Sequence, residues 1–423
     1  MNADFSLFAK IPIICVIFVL KLLKNKGLKE MKRIIITVLI SSAALSVQAQ
    51  SGYETVLQQI ETNNTTLAAL RQQTEAQKLG NRTGLTLANP EVEFNYLWGS
   101  PSVIGNRTDI NVTQTFDFPT AYAHRNKIAN MQNANAELSY KAERLNIFLS
   151  AKQTCVELVY YNALLKEYAV RLQNAERIAE AYQTKLNNGE TNILEHNKAQ
   201  LNLTTVQAEI AQMEAEHAAL LSELKRLNGG KEIVFPDNVY PANTLPANFE
   251  DWYTTAESKS PVLQYVRTQI EIGQQEIKLN RAMGLPKFSA GYMSEKVVGQ
   301  HFQGVTVGMS IPLWENKNRV REAKAQTQAT EAIFEDSKVQ FYNRLQTLYF
   351  KAAALQHNAQ KVRQSLENNN NEPLLKKALV AGEISLLNYL LEIEFYYNAV
   401  NKVLEAERDF ELATAELWAV ELN

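Results

Sequence analysis

The sequence predicts a mainly α-helical fold with a small β part. It reads as two tandem copies of helix, two short strands, a very long helix and a returning helix. Three observations carry this. First, blocks recur at a nearly constant offset. Asn89-Pro90-Glu91-Val92-Glu93-Phe94-Asn95-Tyr96 returns as Leu285-Pro286-Lys287-Phe288-Ser289-Ala290-Gly291-Tyr292, 196 residues on. Leu186 to Leu194 returns as Leu379 to Leu387, 193 residues on, which places a three-residue shortening between Tyr292 and Pro312. Second, helix breakers are scarce. The 423 residues hold 16 Gly and 11 Pro, well below the usual shares of about 7% and 5%. Third, segments of period two stand directly beside segments whose apolar residues recur by alternating threes and fours. The expected boundaries are an upstream segment at 1–49, a first repeat at 50–228, a linker at 229–251 and a second repeat at 252–423.

The amino terminus reads as an export signal. Met31-Lys32-Arg33 is a basic start, Ile34 to Ile40 an apolar stretch, and Val47-Gln48-Ala49 a small-x-small site, so Met31 is the expected start and cleavage follows Ala49. The earlier apolar stretch, Ile11 to Leu23, is short against the about 20 residues of a membrane helix. Removing 1–49 takes the net charge from −2 to −7 and leaves Cys155 as the single cysteine. A lone cysteine makes no internal disulfide and is expected to be a small buried hydrophobe. After Gln50 no apolar run reaches 18 residues, so the exported chain carries no helical anchor.

Four segments alternate in the β manner. Val92, Phe94 and Tyr96 share one face. Ile110, Val112, Phe116 and Phe118 share another, with Gln114 the exception. Phe288, Ala290 and Tyr292, then Val305, Val307, Met309 and Ile311, repeat the pattern. Such strands place one face in an apolar medium and the other in water. Ile110 to Phe118 has the length of a tilted membrane strand, roughly 9–11 residues. Trp98, Phe116, Phe118 and Trp314 stand at strand ends like an interfacial girdle. Four strands cannot close a barrel, and an open edge in lipid leaves backbone groups unpaired. Self-association is therefore required, and both a dimer and a trimer satisfy it.

The helices follow. Pro119 and Pro312 stand where helices begin, because a first-turn proline lacks only an N–H that has no partner there. From each, a helix of about 67 residues is expected, on the order of 100 Å at 1.5 Å per residue. Leu158, Tyr161, Leu165, Tyr168, Leu172, Ala175, Ala179, Tyr182 and Leu186 form one coiled-coil seam. Phe341, Leu345, Leu348, Ala352, Leu355, Ala359, Val362 and Leu366 form the other. Asn368 to Asn371 and Pro373 predict a local break in the second helix. Gly189 and Gly382 close the two helical hairpins, where a positive φ is needed.

With these residues in place, the chain resembles the TolC-like outer-membrane efflux protein family over essentially all of 51–421. The resemblance rests on the strand-Pro-long-helix junctions (Phe118-Pro119, Ile311-Pro312-Leu313) and on the paired tips (Asn188-Gly189-Glu190-Thr191, Ala381-Gly382-Glu383-Ile384-Ser385). It implies a homotrimer whose α-helical tunnel crosses the periplasm under a 12-stranded β-barrel in outer-membrane lipid. It also implies that the tips at Gly189, Glu190, Thr191, Gly382, Glu383 and Ser385 meet a periplasmic adaptor, and through it an inner-membrane pump of the resistance-nodulation-division type. Glu190 and Glu383 depart from the small or apolar residues common there. Acidic residues beside the tips ring the narrow end in several relatives; the matching positions here are Asn388 and Glu195, with Glu392 and Glu394 further along.

The implied function is a passive exit duct of a tripartite efflux pump, with heavy-metal cations favoured over drugs as cargo. A type I secretion duct and a non-transport coiled-coil scaffold are the alternatives. An enzyme is not expected: the five His are scattered without HExxH, GxSxG or P-loop motifs, and no metal-ligand spacing or cofactor motif appears. Nor does the charge balance suggest a nucleic-acid partner.

Overall fold

The computed structural model describes residues 52–422, so the export signal, with Met31 and the cleavage site after Ala49, lies outside the described residues. Helices α1 (Gly52–Asn63) and α2 (Thr65–Asn81) lead into strands β1 (Glu91–Leu97) and β2 (Arg107–Phe116). Then come α3 (Pro119–Asn187) and α4 (Ile193–Leu227). After an irregular strap the same order returns: α5 (Phe249–Lys259), α6 (Pro261–Ala282), β3 (Lys287–Val297), β4 (Gln300–Ser310), α7 (Arg319–Asn368), α8 (Glu372–Ala381) and α9 (Leu386–Leu417).

Local chemistry sets most of these ends. Pro119 occupies the first turn of α3, and the Ala121 N–H is accepted by Phe118 O at 2.8 Å. The second junction differs from expectation. Pro312 does not open a helix; α7 begins seven residues later, at Arg319. Between them Asn318 adopts a left-handed φ of 69°, and the Asn316 Nδ2 amide donates to Met283 O. The chain therefore turns across the end of α6 before it can wind. The break expected near Pro373 is present: α7 stops at Asn368, and Pro373 sits in the first turn of α8.

From Val56 onward the described residues form one compact unit. Within it the halves are interleaved, because α3 packs against α4 of its own repeat and against α6 and α9 of the other. Three apolar clusters mark the core. One joins α3 to α4 through Tyr160, Leu164, Tyr168, Val206 and Met213. One near the tips joins Ile178, Ala199, Leu386, Tyr389 and Ile393. The third is aromatic, Phe249, Trp252 and Tyr253 on α5 against Leu345 and Leu348 of α7. Complete burial of a side chain such as Leu158 or Leu386 is worth about 2–3 kcal/mol. Cys155 is buried as expected, and burial pushes its thiol up to about 12, so it is inert.

The strap between α4 and α5 is fastened by side chains. Asn162 Nδ2 donates to the carbonyls of Phe235 and Asp237, Tyr240 Oη donates to Val156 O, and Tyr349 Oη donates to Pro246 O. Asn243 donates to the Glu411 carboxyl of α9.

Candidate functional site: a two-faced sheet and paired helical tips

The four strands form one antiparallel sheet in the order β1-β2-β3-β4. Its register gathers the alternating residues onto common faces. Val92 lies opposite Val112, Val112 opposite Tyr292, and Tyr292 opposite Val305; Phe116 lies opposite Phe288, and Phe288 opposite Met309. Phe94 and Ile110 share that face, while Tyr96 pairs with Thr108 beyond it. This apolar face has no cover. Val92 on an edge strand is 71% exposed, and Val305 and Val307 on the other edge 84%, against 36% for Val112 inside the sheet. A sheet packed on a water-soluble core would bury this face.

The opposite face is polar. Gln114 breaks the apolar pattern, and its amide turns aside to donate to Ala88 O at 2.7 Å. On the opposite face lie Asn111, Thr113, Thr115, Ser289 and Thr306. On this face a methyl group on Gly308 would overlap Ser289 Oγ. At its far end Arg107 bridges Asp109 and Glu295, at 2.9 and 3.2 Å. At the helical end Arg125 reaches Asp117 at 2.7 Å. Aromatic rings frame both margins: Tyr96 and Trp98 meet edge to face, and Phe118 packs on Phe288.

The tips are built alike. Gly189 and Gly382 both have φ of 74°. The Glu190 N–H bonds to Lys185 O, and the Glu383 N–H to Ala378 O, at 2.8 and 3.0 Å. Each hairpin thus closes through a glycine-ended Schellman turn. Asn192 then caps α4 by accepting from Leu194 N and Glu195 N, and its counterpart Ser385 caps α9 by accepting from Asn388 N. Around these turns Ile193, Leu194, Val380 and Leu387 are exposed. Thr191 is half-buried, whereas Glu190 and Glu383 are exposed.

The acidic candidates do not form one set. Glu195 is half-buried and paired with Lys198 at 2.8 Å. Asn388 is exposed in the first turn of α9. Glu392 lines a cleft of about 230 Å³ beside the α7–α8 break, with Leu375 and Phe395. Glu394, two residues on and so on the other side of the helix, lines a groove of about 320 Å³ between α3, α4 and α9.

That groove holds residues the sequence reading missed. Arg171 is buried between the rings of Tyr168 and Tyr397, 4.2 and 4.3 Å from their centroids. Its Nη2 donates to Tyr397 O and Asn401 Oδ1, while Nε has no hydrogen-bond partner. Burial lowers the affinity of the guanidinium for its proton. Beside it Asn174 Nδ2 donates to Tyr389 Oη at 2.8 Å. The signal was a charged residue inside an otherwise apolar stretch of a long helix, visible only to a reading that allowed α3 a second buried side. Among the described residues no helix is long and apolar enough to cross a membrane.

Comparison with known proteins agrees with this geometry. Residues 252–421 match the family described as outer membrane efflux protein. The alkaline protease secretion protein AprF of Pseudomonas aeruginosa is 24% identical over 283 residues, 61% of this chain. The match spans 58% of AprF, less than two thirds of that relative. Among solved structures, a membrane protein from Pseudomonas aeruginosa superposes with a TM-score of 0.72 at 15% identity, covering 88% of this chain and 90% of that one. The outer membrane protein VceC of Vibrio cholerae gives 0.68 at 15%, covering 87% and 95%. At such identities the structural likeness is one of fold.

Proposed function

We propose that this chain, whose residues 252–421 match the outer membrane efflux protein family, is the outer-membrane exit duct of a tripartite efflux system. The observation that carries the reading is the uncovered apolar sheet face continuing directly into a 69-residue helix. Lipid covers that face and water fills the other. An open four-stranded sheet cannot stand in a bilayer, so three copies contribute twelve strands, and their helices extend the barrel as a tunnel into the periplasm. Each chain, processed to begin at Gln50, brings two repeats, 50–228 and 252–423, joined by the segment 229–251.

The tips at Gly189, Glu190, Thr191, Gly382, Glu383 and Ser385 receive a periplasmic adaptor, which links the duct to a pump of the resistance-nodulation-division type. The duct does no chemistry of its own, and heavy-metal cations are the cargo favoured over drugs. The AprF match supports a second reading, a duct for secreted protein.

At the narrow end three-fold symmetry turns one inward carboxylate into a ring that attracts cations. Glu392 and Glu394 point to different sides of α9, so one of them, not both, lies on the axis, and Glu195 is already offset by Lys198. In planar-bilayer recordings, either Glu392→Gln or Glu394→Gln is expected to reduce cation selectivity, with Glu195→Gln the weaker variant. Wild-type conductance and selectivity in all three would place the constriction elsewhere. Absence of any channel from the purified protein would sink the duct itself.

A further inference from the structure

The two free edges of the sheet, β1 and β4, have a template inside the same chain. β2 and β3 belong to different repeats and are already paired, with Thr113 opposite Gly291, Gln114 opposite Ala290 and Phe116 opposite Phe288. β4 is the repeat counterpart of β2, 193 residues on, and β1 is the counterpart of β3, 196 residues back. Carrying the β2–β3 ladder across by these offsets gives a ladder between β4 of one copy and β1 of the next. We infer that a second copy of this chain docks on the β4 edge with Met309 opposite Val92, Val307 opposite Phe94, Val305 opposite Tyr96 and Thr306 opposite Asn95. This register rests on the trimeric duct proposed above and adds the residue pairing that closes it.

Three physical features agree with it. The register keeps the faces intact: Val92, Phe94 and Tyr96 meet the apolar residues of β4, and Glu91, Glu93 and Asn95 meet Ser310, Gly308 and Thr306. A shift by one residue would put the glutamates in lipid. Gly308 would lie opposite Glu93, so the residue without a side chain leaves room on the water face for a long one. The most exposed valines of the sheet, Val305, Val307 and Val92, are the ones this ladder brings together.

Closure supplies an independent constraint. Crossing the sheet from Val92 leads to Val112, Tyr292 and Val305. The inferred pairing then arrives at Tyr96 of the next copy, four residues along β1 from the start. For three copies that stagger corresponds to a strand tilt of about 35°, using a rise of about 3.3 Å and a strand spacing of about 4.8 Å. Tilts of roughly 35–45° are the rule for such barrels. Sliding β1 two residues one way lowers the tilt to about 19°, outside that range. Sliding it two the other way gives about 46°, and there the internal ladder decides.

Cysteine pairs in the full-length, exported protein test this in native outer membranes. Phe94→Cys is combined in turn with Val305→Cys, Val307→Cys and Met309→Cys, and the membranes are oxidised with copper phenanthroline. Cys155 stays in place because its buried thiol does not react. The expected result is a ladder of covalent dimers and trimers on non-reducing gels, forming at least about fivefold faster with Val307→Cys than with either neighbour. The water-facing pair Asn95→Cys with Thr306→Cys should cross-link likewise, and it is read if a lipid-facing variant fails to assemble. Faster linkage through Val305→Cys or Met309→Cys overturns the register while leaving the oligomer intact. Absence of linkage in every pair, with wild-type protein migrating as a monomer without heating, overturns the oligomeric reading beneath it.

Discussion

The long helices of the two repeats start from equivalent sequence and end as different objects. α3 runs 69 residues without interruption and buries nineteen side chains. α7 runs 50, buries six and stops at a break. The cause lies in their neighbours. α3 is held among α2, α4, α6 and α9, whereas α7 leans on α6, α9 and the short α5. The residues agree: Tyr160, Leu164, Tyr168 and Arg171 of α3 are buried, and their counterparts 193 residues on are Ala353, His357, Lys361 and Gln364. Duplication therefore produced one interior helix and one edge helix, just as it produced the interior strands β2 and β3 and the edge strands β1 and β4. An edge of this kind is what a second copy would cover.

The largest expected effect probes interior against edge in the sheet. Val112→Lys and Val307→Lys place a charge on the apolar face and should each cost roughly 2–4 kcal/mol per subunit near mid-bilayer. Thr113→Lys and Thr306→Lys, on the water face, should assemble and alter conductance only. The check is the fraction of heat-modifiable oligomer on gels. If Val307→Lys is harmless while Val112→Lys is not, β4 does not face lipid and the parallel between edge strand and edge helix breaks.

The next effect probes the junction that only α3 possesses. Arg171→Ala removes two ring contacts and leaves Asn401 Oδ1 without its donor. A loss of about 2 kcal/mol is expected, and Gln364→Ala, at the equivalent position of α7, should fall within about 0.5 kcal/mol of wild type. Thermal unfolding followed by circular dichroism compares them. Equal losses would mean that α7 is as enclosed as α3.

The smallest effect is a pH dependence carried by Glu411 of the second repeat. Burial pushes the Glu411 carboxyl from 4.5 up to about 7, while the Asn243 hydrogen bond and the Lys152 charge pull the other way. A raised carboxyl contributes its full stability below about 4.5 and loses it as pH rises through about 7. The shift sets a ceiling of about 3 kcal/mol, and with residual solvent screening the expected fall is on the order of 1 kcal/mol. Glu411→Gln should flatten the stability curve between those pH values. At the counterpart Ala218, exposed on α4, Ala218→Glu should add no such slope. A wild-type curve already flat across that range would mean that Glu411 ionises freely and is not enclosed by the strap.

The repeats, the two-faced strands, the glycine tips and the break before Pro373 were legible in the sequence. Each follows from neighbours along the chain: alternation of period two, a seam of threes and fours, a residue that tolerates positive φ, a proline that cannot donate. Tertiary structure alone decided the rest. Ile311-Pro312-Leu313 looks like a second helix start, but Asn316 reaches Met283 of α6 and a turn takes its place. Glu392 and Glu394 look like one acidic patch, yet helical geometry and the packing of α9 send them into separate clefts. Arg171 looks like a solvated charge on a long helix until α9 supplies Tyr397 and Asn401 from 226 and 230 residues away. Local pattern determines which elements form, because it acts through the backbone of adjacent residues. Which side of each element is covered depends on partners distant in the chain, and in this sequence two repeats of the same element order meet different partners.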